Sequence, residues 1–252
     1  MPDLSRKSQV LELIEENGYQ TVDEISKKLF ISPATARRDL KQLENNGLIR
    51  RTHGGATVNS NLHRSISVEY RYDLESDAKR KIASSAIKLV DVGMDIFVDG
   101  SSTNTWFAYE LVKINYIRVL TNSIPIARIL SKNPTIKIEI PGGTYNVKHD
   151  CIFGSEAAEF IAERHADIYF VAATCMNEDG VFTQSDEDVS TKKSFIKHAD
   201  INVLLMDHSK MNISHFYKLF DWDQIDTVIS DLPLPNNLDE HLKKKKINII
   251  TD

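Results

Sequence analysis

The sequence predicts a mixed α/β chain in two parts: a small N-terminal winged helix-turn-helix domain, then a larger α/β domain built on a parallel sheet. Three observations predict it. Residues 1–58 hold three short stretches of helically spaced apolar residues, then two extended runs around a Gly-Gly turn. From residue 76 to 252, apolar runs of three to five residues alternate with helical stretches, the pattern of strand–helix units. Between the two, residues 59–75 are polar and aperiodic, and read as a linker that leads into a connecting helix.

In the first part, Val10, Leu11, Leu13 and Ile14 share a helical face that stops at Asn17-Gly18. A second helix opens at Thr21, whose hydroxyl and the Glu24 carboxylate have capping-box spacing, and Val22, Ile25 and Leu29 form its apolar face. Ser32-Pro33 is a cap followed by a first-turn proline, and the third helix runs to Asn46-Gly47. Leu48 to Thr52 reads as a strand, His53-Gly54-Gly55-Ala56 as a turn, and Thr57-Val58 as the start of the return strand. In the second part, strands are expected at Ile96–Val98, Arg118–Leu120, Ile136–Ile140, Ile168–Val171, Val203–Met206 and Thr227–Ile229, with helices on both faces of the sheet.

Composition narrows the function. With 41 % hydrophobic and 27 % charged residues, the 252-residue chain can fold into a small and a medium domain rather than remain disordered. No 18-residue apolar run is present, so no membrane span is expected, and the first residues lack the apolar core of a signal peptide. Cys151 and Cys175 are the only cysteines, 24 residues apart, which argues against a disulfide framework or structural zinc and favours the cytoplasm. The eight histidines show no metal-ligand spacing, and neither a metal nor a cofactor is expected.

Net charge is −5, so the chain is no bulk polycation. Residues 1–58 carry nine Lys and Arg against eight Asp and Glu, the rest 22 against 28. Positive charge is local: within residues 33–53, Arg37, Arg38, Lys41, Arg50 and Arg51 face only Asp39 and Glu44. On the third helix, Ala36, Leu40 and Leu43 lie on one face and leave Thr35, Arg37, Arg38, Lys41 and Gln42 outward or flanking. A helix fits the major groove, its N-terminal residues reach base edges, and Arg pairs bidentately with guanine. Ser32, Thr35, Arg37, Arg38 and Lys41 are therefore the candidate DNA contacts, with Arg50, Arg51 and His53 on the wing for phosphates. The plainer alternative is a solvated charged face. Asp39 reads as a structural residue that orients Arg or caps, ahead of a base contact.

Several strands of the second part end in small polar loops, where open α/β sheets bind ligands. Gly100-Ser101-Ser102-Thr103 follows a strand and precedes a helix, so it offers N–H groups and hydroxyls to an anion, or is a capped turn alone. Thr121-Asn122-Ser123, Gly142-Gly143 and Asp207-His208-Ser209-Lys210 strengthen the ligand reading. Lys192 and Lys210 each read as a phosphate partner or as an exposed cation. Asp186-Glu187-Asp188 would supply a general base to a sugar-phosphate isomerase, the alternative function, but such runs more often start a helix. His149 and His208 lie near these loops. Lys243–Lys246 reads as a helix end or solvated tail.

Asp23-Glu24-Ile25-Ser26, Ile31-Ser32-Pro33-Ala34-Thr35-Ala36-Arg37-Arg38-Asp39-Leu40, Leu43-Glu44, Gly47-Leu48-Ile49-Arg50-Arg51 and His53-Gly54-Gly55-Ala56 together resemble the DeoR family of bacterial regulators. The resemblance continues through Asp99-Gly100-Ser101-Ser102-Thr103, Thr121-Asn122-Ser123, Gly142-Gly143, Lys192, Asp207–Lys210 and Ile225–Asp231. It implies a second domain similar in fold to ribose 5-phosphate isomerase that binds a phosphorylated sugar or related metabolite and mediates homo-oligomerisation, as dimer or tetramer. It also implies a double-stranded DNA operator as partner, repression of carbohydrate-metabolism genes as output, and no catalytic residues. Two positions depart from the family pattern. Ala173-Thr174-Cys175 stands where a small-Ser-Gly turn is usual, which bears on the effector, and Ala36 replaces a larger aliphatic.

Overall fold

The computed structural model describes residues 2–45, 48–52, 54–58, 71–72 and 74–251. The chain divides into two compact units, residues 1–74 and 75–252. Most of the predicted linker, residues 59–70 and 73, and the wing residue His53 lie outside the described residues.

The first unit has three helices, α1 (Pro2–Asn17), α2 (Val22–Lys28) and α3 (Pro33–Asn45), and three short strands, β1 (Gln20–Thr21), β2 (Ile49–Thr52) and β3 (Gly55–Val58). Its core joins Val10, Leu11 and Ile14 of α1 to Val22 and Ile25 of α2 and Ala36, Leu40 and Leu43 of α3, closed by Ile49 and Ala56. The helical spacing of these residues is what predicted the helices. The capping box forms: the Thr21 hydroxyl accepts from the Glu24 N–H (3.2 Å) and the Glu24 carboxylate from the Thr21 N–H (2.8 Å). The wing differs from expectation at one point. Its return strand begins at Gly55 rather than Thr57, because Gly55 pairs with Thr52 on one side and Thr21 of β1 on the other.

The second unit is a three-layer sandwich. Its central sheet has β4 (Asp95–Val98), β5 (Arg118–Thr121), β6 (Lys137–Glu139), β9 (Ala166–Ala172), β12 (Ala199–Leu205), β14 (Thr227–Ser230) and β15 (Asn248–Thr251). All pairs are parallel, in the order β15-β14-β12-β9-β4-β5-β6. Period-two alternation sends Ile96, Val98, Ile168, Phe170, Val203 and Leu205 to one face, against α4 (Ser76–Ala86), α5 (Ser102–Leu111) and α6 (Ile124–Leu130). Phe97, Tyr169, Val171 and Leu204 point the other way, toward α7 (Ser155–Ala162), α8 (Val189–Lys197) and α9 (Asn236–Lys244). Burial on both faces is why these strands read as continuous apolar runs.

Three features were not predicted. β15 extends the sheet at one edge. A hairpin of β7 (Thr144–Asn146) and β8 (Cys151–Phe153) packs on the loop after β5, where the Ile152 N–H donates to the Asn122 carbonyl (2.8 Å). A second antiparallel sheet of β10 (Cys175–Asn177), β11 (Gly180–Thr183) and β13 (Tyr217–Phe220) adds Met176, Val181 and Leu219 to the second core.

Candidate nucleic-acid interface and effector site

Helix α3 is held at both its start and its middle. The Ser32 hydroxyl accepts from the Thr35 N–H (3.1 Å) and lies 2.9 Å from the Thr35 hydroxyl, so these two predicted contacts also build the N-cap. Further along, Asp39 is fully buried and takes a two-pronged grip from Arg6 of α1, with Nε to Oδ2 at 2.6 Å and Nη2 to Oδ1 at 3.0 Å. Its structural reading stands, but the partner is Arg6 rather than the neighbouring arginines. With Ala36, Leu40 and Leu43 buried on the same side, Arg37, Arg38 and Lys41 are left exposed. On β2, Arg50 is exposed, whereas Arg51 is half-buried and its backbone N–H donates to the Glu44 carboxylate (3.3 Å).

In the second unit, the loops after β4 and β5 meet at the carboxyl edge of the sheet, where the Gly100 N–H donates to the Asn122 side chain. Asp99 is the hub. Its buried carboxylate accepts from the Asn104 amide (2.7 Å), the Tyr169 hydroxyl (2.8 Å) and the Lys192 ammonium, which also donates to the Ala172 carbonyl (2.8 Å). Lys192 is therefore not an exposed cation. Its charge is matched by Asp99 in the protein interior. Burial, followed by the Asp99 charge and hydrogen bond, drives the Tyr169 phenol well above its ordinary range, so it stays a donor.

Beside the hub, Ser101 caps α5 by accepting from the Asn104 N–H (2.9 Å). Ser102 is buried there, and the buried Thr103 hydroxyl has no hydrogen-bond partner in the protein. Gly100 donates its N–H to the Asn122 side-chain oxygen (2.9 Å), and the Asn122 amide donates to the Ile152 carbonyl (3.1 Å). Asn122 thus ties the loop after β4 to the β7–β8 hairpin. The Thr121 hydroxyl accepts from the Ser123 N–H (3.1 Å), and Ser123 caps α6. Gly100 lies against Cys151, and a Cβ there would overlap the sulfur. Gly142 stands in open space, while Gly143 has φ +138° and sits close enough to the Phe153 carbonyl that a Cβ would come within 2.6 Å.

Lys210 pairs with Asp207 at 3.0 Å. Burial alone would raise the Asp207 carboxyl, but the Lys210 charge and the Ser209 and Lys210 hydrogen bonds outweigh it and pull the group down to about 2. Burial acts to lower the His208 imidazole. Its 2.7 Å hydrogen bond to Asp231, with the charges of Asp231 and Glu75, reverses that, and its pKa is raised. In the acidic run, Asp186 and Glu187 are exposed, and only Asp188 turns inward, 3.4 Å from the Thr183 hydroxyl. Burial, opposed by Lys192 and reinforced by Asp99, pushes Asp188 up to about 6. Asn104, Tyr169 and Asp188 join this cluster although the sequence does not mark them as binding residues. A lone hydroxyl in the apolar run Ile168–Val171 was a usable signal for Tyr169. Among the described residues, no three His, Cys, Asp or Glu converge as metal ligands, and no helix is long and apolar enough to cross a membrane.

Residues 6–61 match the DeoR-like helix-turn-helix domain, and residues 74–232 match the DeoR C terminal sensor domain. The HTH-type transcriptional repressor CsqR of Escherichia coli is 32 % identical over 97 % of this chain and 94 % of its own length. The L-fucose operon activator of Haemophilus influenzae is 30 % identical over 96 % and 97 %. The glycerol-3-phosphate regulon repressor of E. coli is 27 % identical over 93 % of each chain. Among solved structures, ribose 5-phosphate isomerase A from Methanocaldococcus jannaschii is similar over 54 % of this chain and 55 % of that one, at 22 % identity and a TM-score of 0.40. With both domains matched and a relative at 32 % identity along nearly its whole length, the chain belongs to the DeoR family of transcriptional regulators.

Proposed function

We propose that the chain is a DNA-binding repressor of carbohydrate-metabolism genes whose hold on its operator is set by a phosphorylated sugar or related metabolite. The observation that carries the reading is the outward presentation of Arg37, Arg38 and Lys41 on a helix fixed from behind by a buried ion pair, with Arg50 on the adjoining wing. Two of the three relatives named above are repressors and the third is an activator, and one repressor is named for the glycerol-3-phosphate regulon, which supports repression and a phosphorylated metabolite as signal. The polar carboxyl-edge loops of the second unit, with α5 capped beside them, supply the anion site. Effector control requires that the metabolite bind the DNA-competent and DNA-incompetent states with different affinity. A homo-oligomer, dimer or tetramer, acting in the cytoplasm completes the proposal.

The test uses full-length protein and a duplex selected from a random-sequence pool. Arg37→Ala and Arg38→Ala should each weaken specific binding by roughly 1–3 kcal/mol per lost base contact, while Arg50→Ala should chiefly flatten the salt dependence. Unchanged affinity after replacing both Arg37 and Arg38 would sink the recognition-helix assignment. A sugar-phosphate panel should raise the melting temperature with some members. Asp188, with its raised pKa, is the group an isomerase would use as base, and turnover of an aldose phosphate would favour that alternative.

A further inference from the structure

The turn between α2 and α3 carries a residue that the fold itself does not ask for. The Leu29 N–H makes the last helical bond of α2, to the Ile25 carbonyl, and the Ile31 N–H reaches back to the Ser26 carbonyl, both at 3.0 Å, the second being the six-to-one bond of a Schellman closure. The residue after the helix cap in that motif adopts left-handed backbone, where glycine is the default because Cβ crowds the following carbonyl. Here it is Phe30, at φ +53°. Its side chain is 96 % exposed, the most exposed large apolar group among the described residues. Both the backbone and the ring would be better served by another residue, unless the ring has a partner outside the chain.

The surroundings identify the partner. Next along the chain, Pro33 and Ala34 are exposed and apolar, and Ser32 before them is exposed and uncharged, so the leading tip of α3 offers a small apolar surface at Pro33 and Ala34. Exposed cations follow it in sequence at Arg37, Arg38 and Lys41 and precede it at Lys27 and Lys28. Apolar groups between cations on both sides fit a polyanion with apolar features between its charges. In the major groove those features are thymine methyl groups, and phosphates line the rim. A second copy of the same surface would meet it with like charge.

We infer that Phe30 is a DNA-contacting side chain that packs on a thymine methyl in the major groove and sets base preference at the edge of the site read by α3. This rests on the DNA-binding reading above. Phe30→Gly and Phe30→Asn suit left-handed backbone, so both should melt at or above the wild-type temperature. Both should bind the duplex selected by the wild-type chain about tenfold more weakly, with the salt slope unchanged. Thymine-to-uracil replacement along that duplex should weaken wild-type binding at one or two positions and leave the variants indifferent there. Wild-type affinity in both variants, or equal uracil sensitivity in variant and wild type, overturns the inference while DNA binding stands. A changed sedimentation coefficient in the variants assigns Phe30 to self-association and also overturns it. Failure of the wild-type chain to select any duplex removes the DNA reading and this inference with it.

Discussion

Removing Arg6 tests how α3 is held. Asp39 is fully buried and its carboxylate receives both prongs of the Arg6 guanidinium, at 2.6 and 3.0 Å. Arg6→Ala leaves that carboxylate desolvated and unmatched, and breaking a buried pair from one side costs about 3–5 kcal/mol. The Arg6 side chain is 23 % exposed, so water can follow it in and discounts the cost below that range, to about 2–3 kcal/mol. In a unit of this size, each kcal/mol moves the midpoint by about 4–8 °C, so a fall of about 10–20 °C is expected. The assay is built into the chain: its two tryptophans, Trp106 and Trp222, both lie in the second unit. Tryptophan fluorescence should therefore melt at the wild-type temperature, while far-ultraviolet circular dichroism gains an early transition. Arg6→Met combined with Asp39→Leu should recover most of the loss, since no charge is then stranded. A circular dichroism melt unchanged by Arg6→Ala would refute the reasoning, as would a double variant no more stable than the single one.

Three other perturbations have signs that follow from packing and from buried charge. Gly100→Ala forces a methyl group into the Cys151 sulfur, so it should lower stability by about 1–3 kcal/mol in urea titrations, and less in a Cys151→Ala background. Asp188, raised from its ordinary 3.8 to about 6, burdens the folded state above that pH, an effect that fades as pH falls toward 4. Asp188→Asn should thus gain about 1–2 kcal/mol at pH 7 and nothing at pH 4, and equal gains at both would contradict the assignment. Asp207 has the opposite sign: a carboxyl lowered from 3.8 to about 2 contributes stability above pH 4 that is lost as pH falls through 2. Lys210→Met should lower stability at pH 7 and shrink the remaining loss between pH 4 and pH 2, read as urea midpoints.

What the sequence made legible was local. The α2 and α3 starts could be read because caps and apolar faces lie within a few residues of one another. Five strands, β4, β5, β9, β12 and β14, could be read because burial on both faces makes each a bounded apolar run, whereas β6 at one edge is legible from the alternation of Ile136, Ile138 and Ile140. β15 could not, since Asn248–Thr251 is short and at the sheet edge, where neither face demands a continuous apolar stretch. The β10–β11 hairpin carries one local signal, Asp179-Gly180 between Met176 and Val181. The site was legible as a set of loops but not as a network. Asp99 and Lys192 are 93 residues apart, and Arg6 and Asp39 are 33 apart. Charge pairing at such distance depends on which strands become neighbours, and no local pattern records that.

The contact between Gly100 and Cys151 has a practical consequence for watching this protein move. The Cys151 thiol is 1 % exposed, walled on one side by the loop after β4 and on the other by its own hairpin. An alkylating reagent reaches the sulfur only in the moments when those two part. The other thiol, Cys175, is buried too and pushed up to about 12, chiefly by burial, so it reacts slowly at neutral pH and contributes little background. The labelling rate of the native chain is therefore a stopwatch on opening at the carboxyl edge of the sheet, with no probe to install. A molecule that seals the edge should slow the stopwatch in proportion to its occupancy, whatever its identity.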